Sequence, residues 1–302
     1  MKTLAAFVMR GRSLAALVAA GAAVLFWLFP PVLIVSGATV ALVTLRRGAV
    51  EGAGIMALGG VGAVVLSGLA LGTPWPMLEV LPACWLPVWL LALVLRATVS
   101  LSRTLQAAAL LGLLGVIGFY LALGDPAVWW GAVLGQWELR LTALAAAERA
   151  TLEALLALLK AWAPYLPGQA VGAILLFVLG GLLLGRWQQA LLFNPGGFQQ
   201  EFHELRLGRP LATLTLALFG AALLSGWPPL ANALLVLGLL YTVQGMALAH
   251  AVALKRRLSP AWLALFYLLL LVPLLSQWVM AMGVADAWAD FRNRVRPKLS
   301  PR

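Results

Sequence analysis

The chain has 302 residues, of which 63% are hydrophobic and only 10% are charged, whereas soluble domains are about 45–50% apolar and about 25% charged. This composition excludes a soluble globular protein. Lysine and arginine together number 21 against 10 aspartates and glutamates, an excess that in a soluble chain would suggest nucleic acid as a partner. Here most basic residues stand in short connections between apolar segments, where they orient a protein in a membrane. The sequence predicts an all-α, polytopic transmembrane helical bundle whose partner is the lipid bilayer and not nucleic acid.

The apolar segments set the number of spans, because a helix needs about 17–25 apolar residues to cross a bilayer. With proline, glycine and charge as segment ends, the sequence predicts about nine spans, eight being possible: 13–29, 31–45, 49–71, 82–95, 105–123, 168–186, 210–226, 229–251 and 260–283. Whether 31–45 and 82–95 cross fully stays open, because both are short. The predicted organisation has four parts: an N-terminal five-helix membrane region at 1–123, an extracytoplasmic amphipathic segment at 124–167, a C-terminal four-helix membrane region at 168–283 and a basic tail at 284–302.

The basic residues predict the orientation of the chain. With a cytoplasmic N-terminus, 13 of the 21 lysines and arginines fall in cytoplasmic connections, and three fall outside, namely Arg140, Arg149 and Lys160. This distribution follows the positive-inside rule and predicts a multi-pass protein of the bacterial cytoplasmic (inner) membrane. The other five basic residues lie in the C-terminal tail, which nine crossings would place outside, so the side of the tail stays open.

Segment 124–167 is too polar to cross a membrane, and its residues alternate with the period of a helix. The charged face comprises Glu138, Arg149, Glu153 and Lys160, and the apolar face comprises Leu141, Leu144, Leu152, Leu155, Leu156, Leu159 and Trp162. This pattern predicts an amphipathic outer helix that lies on the membrane surface, packs on the bundle or acts as a lid. Trp129, Trp130 and Trp137 fit an interfacial aromatic belt; the alternative is a ligand site that includes Trp129, Trp130 and Gln136.

Motifs for enzymatic or energy-converting chemistry are missing from the sequence. No lysine stands in the Gly-Lys-Ser/Thr motif of a phosphate-binding loop, and no Gly-x-Ser-x-Gly nucleophile motif occurs. Cys84, His203 and His250 are too few and too scattered for a zinc site. We therefore expect that the protein is not an enzyme and that it has no metal and no cofactor.

Span 229–251 carries the most informative polar residues, because polar groups are costly within hydrocarbon. Gln244 is the deepest, and the adjacent Gly245 favours a helix crossing in which the amide bonds a neighbouring backbone over contact with a ligand. Asn232 is a further ligand-binding candidate. His250, one turn before a basic cluster, fits an interfacial residue better than a proton carrier. In the last span, Pro273 predicts a kink.

Two polar segments, the loop at 194–209 and the tail, are the predicted contacts with partner proteins. The loop combines a turn with aromatic residues and both signs of charge. The candidate contacts are Phe202, Glu204 and Arg206 in the loop and Asp286, Asp290 and Arg292 in the tail. The four-residue spacing of Asp286, Asp290 and Arg294 also predicts one charged ridge on a helix.

Three short motifs resemble those of the YybS-like bacterial polytopic membrane proteins. They are Phe202-His203-Glu204-Leu205-Arg206-Leu207, Gln244-Gly245 before a basic turn, and Asp286-Ala287-Trp288-Ala289-Asp290-Phe291-Arg292. That family is similar, through its first six helices, to the S components of energy-coupling-factor transporters. Pro30-Pro31 and the glycine-rich third span after Arg46-Arg47-Gly48 match the S-component pattern. The resemblance implies an S-component-like core, to which this chain adds three spans and a long outer loop; no binding residue is carried over.

Two hypotheses of different classes follow for the function. The leading one is an inner-membrane transporter or uptake subunit for an unknown small molecule, which has no ATPase of its own and needs an energising protein subunit. The alternative is a membrane scaffold that organises envelope or cell-shape proteins through the loop and the tail. A glycolipid or lipid-linked enzyme would need converging acidic or histidine residues, which the sequence does not show.

Overall fold

The computed structural model describes residues 1–141 and 149–295, and all regular secondary structure within them is helical. The α-helices of the first half are α1 Lys2–Val8, α2 Arg12–Leu25, α3 Leu33–Arg47, α4 Ala49–Leu71, α5 Trp75–Thr98, α6 Leu101–Leu123 and α7 Pro126–Leu141. Those of the second half are α8 Arg149–Trp162, α9 Leu166–Phe193, α10 Gly197–His203, α11 Arg209–Ser225, α12 Pro228–Lys255, α13 Pro260–Leu269, α14 Pro273–Ala289 and α15 Phe291–Arg294. The predicted all-α class is confirmed.

Five helical stretches are long and apolar enough to cross a membrane. They are Ala49–Leu71, Trp75–Thr98, Leu101–Leu123, Thr151–Phe193 and Pro228–Lys255. The pair α13 and α14 adds a sixth if it is counted as one span, and α2 and α11 are shorter apolar helices. All nine predicted segments are therefore helical, and the chain is a multi-pass membrane protein with five or six candidate crossings of full length among the described residues.

In helix α5, proline does not mark the start of the helix as the sequence analysis assumed. The sequence predicted a short span at 82–95, but α5 has 24 residues and contains Pro82 and Pro87 in its interior. At 1.5 Å per residue it reaches about 36 Å. Membrane helices tolerate internal proline because neighbouring groups satisfy the freed carbonyls, so the boundary at 82 was wrong.

Helix α3 is as short as predicted, with 15 residues, and it lies at the centre of the N-terminal helices. Every residue from Ser36 to Leu45 is buried, and the helix packs against α2, α4 and α5. Because no lipid reaches this run, polar groups are tolerated there once they are bonded. The Ser36 hydroxyl donates to the Ala19 carbonyl over 2.7 Å and accepts from the Trp85 indole over 3.0 Å.

Small residues allow α9 to approach α3 closely. A Cβ atom added to Gly181 would lie 3.1 Å from the Gly37 backbone, and one added to Gly185 would lie 2.7 Å from the Cβ of Ala41. Helices in lipid associate through such close backbone contacts. The tight packing that the small residues of the spans predict is confirmed at this crossing.

The chain divides into two compact units. Unit 1 comprises Met1–Ala108, Ile174–Ala212 and Leu239–Arg302, and unit 2 comprises Ala109–Ala173 and Thr213–Gly238. The predicted four-part division along the sequence stays a prediction.

In unit 2, helix α8 confirms a helical, amphipathic second half of segment 124–167. Leu156 is 6% exposed and points inward, whereas other apolar side chains of the helix are exposed. The exposed set is Leu155, Leu158, Leu159 and Trp162. Their position on a membrane surface stays a prediction. The side chains of six residues in this predicted segment lie outside the described part of the structure: Trp137, Glu138, Arg140, Leu141, Leu144 and Arg149.

The last predicted span is broken rather than kinked. Helices α13 and α14 meet at an angle of 112° around the residues before Pro273, and the Ser276 hydroxyl donates to the Pro273 carbonyl over 2.8 Å. The Lys255 ammonium, at the end of α12, donates to the Arg292 carbonyl over 2.6 Å. The two ends of the α13–α14 pair therefore lie together, so the pair leaves one end of unit 1 and returns to it.

This return places the tail on the same side as the loop at 194–209. Cysteines introduced at Arg256 and at Arg294, in a Cys84→Ser background, are expected to react with an impermeant thiol reagent from the same side of the membrane. With the orientation that the charges predict, both are shielded in intact cells, as is a cysteine at Arg47, whereas one at Thr151 reacts. Labelling of the Arg294 cysteine from the side opposite to the Arg256 cysteine would contradict the return of the chain.

Candidate functional site

The side chain of Gln244 is fully buried and is bonded to two backbone segments of unit 1. Its Oε1 accepts from the Leu207 amide over 2.7 Å, and its Nε2 donates to the Gly283 carbonyl over 2.6 Å. An added Cβ at Gly245 would lie 2.2 Å from the Val279 carbonyl oxygen, so glycine is required where α12 crosses α14. These contacts match the structural alternative for Gln244; contact with a ligand stays a prediction.

The two roles of Gln244 predict different results for Gln244→Leu. Interhelical hydrogen bonds in membranes contribute about 0.6 kcal/mol on average and at most about 1.7 kcal/mol. With two bonds lost, we expect the free energy of unfolding in detergent to fall by about 1–2 kcal/mol, while ligand-dependent stabilisation is kept. Gln277→Leu, at an exposed position of α14, is the control and is expected to change little. Unchanged stability with loss of ligand protection would instead assign Gln244 to a binding site.

Asn232 holds together unit 2. Its Oδ1 accepts from the Gly168 amide over 2.8 Å, and its Nδ2 donates to the Tyr120 hydroxyl over 2.7 Å and to the Pro164 carbonyl over 2.8 Å. Both Nδ2 hydrogens are used, because an amide nitrogen has two. These bonds fit a structural role for Asn232, and its contact with a ligand stays a prediction.

The other ligand candidates of unit 2 lie on α7. The rings of Trp129 and Trp130 meet edge to face at 4.6 Å between centroids, and Gln136 is exposed. Their assignment to a ligand stays a prediction.

Four of the predicted partner contacts bind segments of this chain, in a cluster that we call the loop–tail clasp: Arg206, Asp286, Asp290 and Arg292. Their contact with a partner protein stays a prediction. Arg292 donates to the His203 carbonyl over 2.5 Å and to the Leu205 carbonyl over 2.6 Å. Its Nε faces the Asp286 carboxylate at 3.3 Å without hydrogen-bond geometry. Arg206 pairs with Asp290 at 2.5 Å. Burial lowers the pKa of Arg292, and the Asp286 carboxylate opposes that shift.

The predicted charged ridge of Asp286, Asp290 and Arg294 is wrong. Helix α14 ends at Ala289, and Asp290 takes the left-handed conformation with φ of 47°. The Asp286 carboxylate accepts from the Phe291 amide over 3.0 Å and faces Arg292. The turn at Asp290 therefore pairs residues six apart in sequence, where a continuous helix would align residues four apart.

The loop is also anchored by Glu201 and Phe202. Glu201 forms a two-point ion pair with Arg186 of α9, with Nε to Oε2 at 2.9 Å. Phe202 is buried and lies parallel to Phe198 at 5.7 Å between ring centroids. Glu204 is exposed. Among the predicted partner contacts, Glu204 is therefore exposed and is not part of the loop–tail clasp.

A cleft in unit 1 was not anticipated from the sequence. It has a volume of about 590 Å³ and lies among α9, α10, α12 and α13. Its aromatic lining comes from Trp187, Phe198, Phe202 and Tyr267. A second cleft of about 420 Å³ shares Gln199, His203 and His250 with the first. No periodicity could reveal this arrangement, because its walls come from segments far apart in sequence, from Leu183 to Tyr267.

The polar groups of the cleft converge on His250. Its Nε2 lies 2.8 Å from the Tyr267 hydroxyl, and its ring lies 6.2 Å from that of His203. Burial lowers the pKa of His203, and His250 and Arg292 lower it further, so all three favour the neutral imidazole. Within the described part of the chain, no three His, Cys, Asp or Glu side chains come together as a metal site would need. The cleft can thus offer hydrogen bonds beside a large apolar surface.

Arg257 lines the second cleft in a conformation that favours glycine. Its φ is 52°, and the Leu258 amide bonds the Ala253 carbonyl over 2.9 Å while the Arg257 amide bonds the Leu254 carbonyl over 3.1 Å. This is the Schellman ending of a helix, in which the left-handed position is usually glycine. A non-glycine residue there costs about 1–2 kcal/mol. Such strain at a cleft suggests a role for the arginine side chain.

The three motifs on which the YybS-like resemblance rests come together in unit 1. Leu207 of the first bonds Gln244 of the second, and Arg292 of the third bonds the carbonyl groups of His203 and Leu205 of the first. Neither the curated proteins nor the solved structures contain a significant match to the chain. Residues 165–287, less than half of the chain, match the model of a family described as a predicted membrane protein, DUF2232.

Proposed function

We propose that this multi-pass membrane protein binds a small molecule in the cleft among α9, α10, α12 and α13 and acts as a transporter or uptake subunit. The observation that carries the proposal is the cleft itself. Small-molecule sites have volumes of about 300–1,000 Å³, mostly apolar linings and a few convergent polar groups. The volume of about 590 Å³, the four aromatic side chains and the shared Gln199, His203 and His250 fit this description.

The transport part of the proposal draws on the position and the chemistry of the chain. The cleft is formed by helices that include two candidate membrane crossings, α9 and α12. The sequence has no phosphate-binding loop, so active uptake needs an energising protein subunit. The resemblance to YybS-like proteins, and through them to S components, supports the same reading and remains a prediction from sequence.

The scaffold alternative draws less support from the geometry. It relies on the loop and the tail as surfaces for envelope or cell-shape proteins. Asp286 and Arg292 are only 1% and 4% exposed, and their polar groups are directed at this chain. The clasp must open before these two residues can meet a partner.

The proposal is tested by the small molecules that co-purify with the protein. Met246→Trp, and independently Leu191→Trp, place a large ring in the cleft. Leu216→Trp, at an exposed position of α11, is the matched control. Mass spectrometry of extracts from the purified proteins is expected to find a recurring molecule in near-stoichiometric amount in the wild type and the control and to find it depleted in both cleft variants.

The same extracts can contradict the proposal. If all four proteins carry the same molecules in the same amounts, the cleft does not bind them. A co-purifying protein subunit in place of any small molecule would favour the scaffold alternative.

A further inference from the structure

We propose that the ligand of the cleft is an anionic amphiphile, with its apolar chain along the aromatic wall and its acidic headgroup at Arg257. This inference rests on the proposed function, since it names the chemical class of the molecule bound there. The shared chemistry is a carboxylate or phosphate on a hydrophobic chain.

The apolar part of the ligand follows from the first cleft. Trp187 and Phe198 contribute aromatic side chains, and Leu183 and Met246 contribute aliphatic ones. Such a lining offers few partners for a hydrophilic solute, because a polar group buried without a hydrogen bond is costly. A hydrocarbon chain has no such cost.

The sign of the headgroup follows from the second cleft. Of the described residues that line the two clefts, none is acidic, whereas Arg257 lines the second and Gln199, His203 and His250 are common to both. An arginine and neighbouring hydrogen-bond donors bind a carboxylate or phosphate in charge-assisted hydrogen bonds. A cationic headgroup would meet no counter-charge in this lining.

The route for the ligand is provided by α13. This helix forms one wall of both clefts and has no buried residue. Trp262, Leu265 and Leu268 are exposed on it, as expected of a helix in contact with lipid. An amphiphile dissolved in the bilayer can therefore reach the cleft past α13 without passing through water.

The backbone of Arg257 gives an independent argument. Glycine would relieve its left-handed conformation, so the arginine is present at a cost to stability. Arg256, the preceding residue, is exposed, as Arg257 is, but it does not line either cleft. Of these two neighbouring arginines, the one in the left-handed conformation is therefore the one that lines the cleft.

The experiment compares oleate with oleyl alcohol, an uncharged molecule of the same chain, by native mass spectrometry of the full chain in an uncharged detergent. The wild type is expected to bind oleate about tenfold more tightly than the alcohol, because a charged hydrogen-bonded pair contributes at least that much. Arg257→Gly is expected to abolish this preference while the melting temperature of the ligand-free protein rises. Arg257→Lys should retain most of the preference, and Arg256→Gly should leave it unchanged.

Other outcomes overturn the inference and separate it from the proposed function. Equal affinities of the wild type for oleate and oleyl alcohol, both lost in Met246→Trp, would refute the anionic headgroup and leave the cleft as a binding site. If Arg256→Gly and Arg257→Gly reduce the preference for oleate equally, then general surface charge, and not a headgroup site at Arg257, accounts for that preference. Inorganic phosphate and a lipid phosphate are also compared as competitors of oleate. If the two compete equally well, the ligand is a free anion and not an amphiphile.

Discussion

Gly283→Ala is expected to force α14 away from α12 and to lower the stability of the folded protein severely. An added Cβ would lie 2.1 Å from the Tyr241 carbonyl oxygen and 3.0 Å from the Gly245 amide nitrogen. Both atoms belong to the backbone of a long helix, so neither can move aside as a side chain would. We expect a loss of about 3 kcal/mol in the free energy of unfolding, at the upper end of the cost of overpacking, measured by thermal unfolding in detergent.

Gly220→Ala is the matched control for this prediction. Gly220 also lies in a helix, α11, but an added Cβ meets no atom within 4 Å. Alanine is a better helix former than glycine by about 0.5–1 kcal/mol, so this variant should be unchanged or slightly more stable. If both substitutions have the same effect, the close crossing of α12 and α14 is not present in solution.

Arg292→Met is expected to open the loop–tail clasp. It leaves the buried carboxylate of Asp286 without a counter-charge and removes the donors to two loop carbonyl groups. Removal of one partner of a buried ion pair costs about 3–5 kcal/mol. Thermal unfolding is expected to show a loss of this size, and limited proteolysis to cut the loop at 194–209 faster than in the wild type.

Two further variants test whether the loss comes from the pair. Arg294→Met changes an exposed arginine and should stay within about 0.5 kcal/mol of the wild type. Asp286→Ala combined with Arg292→Met should be less destabilising than the sum of the single changes, since no uncompensated charge remains. Additive losses would show that Asp286 and Arg292 do not interact.

The helices of this protein could be predicted from sequence because lipid imposes length and apolarity on any span. The nine predicted segments are all helical for this reason. The boundary at Pro82 failed because tertiary neighbours decide whether a membrane helix continues through proline. Likewise, Pro273 predicts a kink, but no local pattern contains the angle of 112° between α13 and α14.

The sequence identifies the important polar residues but does not determine what each of them contacts. Gln244 was correctly expected at a helix crossing because an amide beside glycine suits that position. For Asp286 and Arg292, the sequence gives no sign that Asp290 turns the chain and brings them against the loop. The cleft was missed altogether, because His250 and Tyr267 meet only after α13 has folded back beside α12.

An experimental density map of the protein extracted from its own membranes tests the central claim, that the cleft among α9, α10, α12 and α13 is a binding site. The account predicts non-protein density that follows the aromatic wall from Trp187 to Phe202 and reaches His203, and that is absent from the map of the Met246→Trp variant. A wild-type map in which α13 closes against α9, with their side chains filling the cleft and no room for a molecule between them, would contradict it.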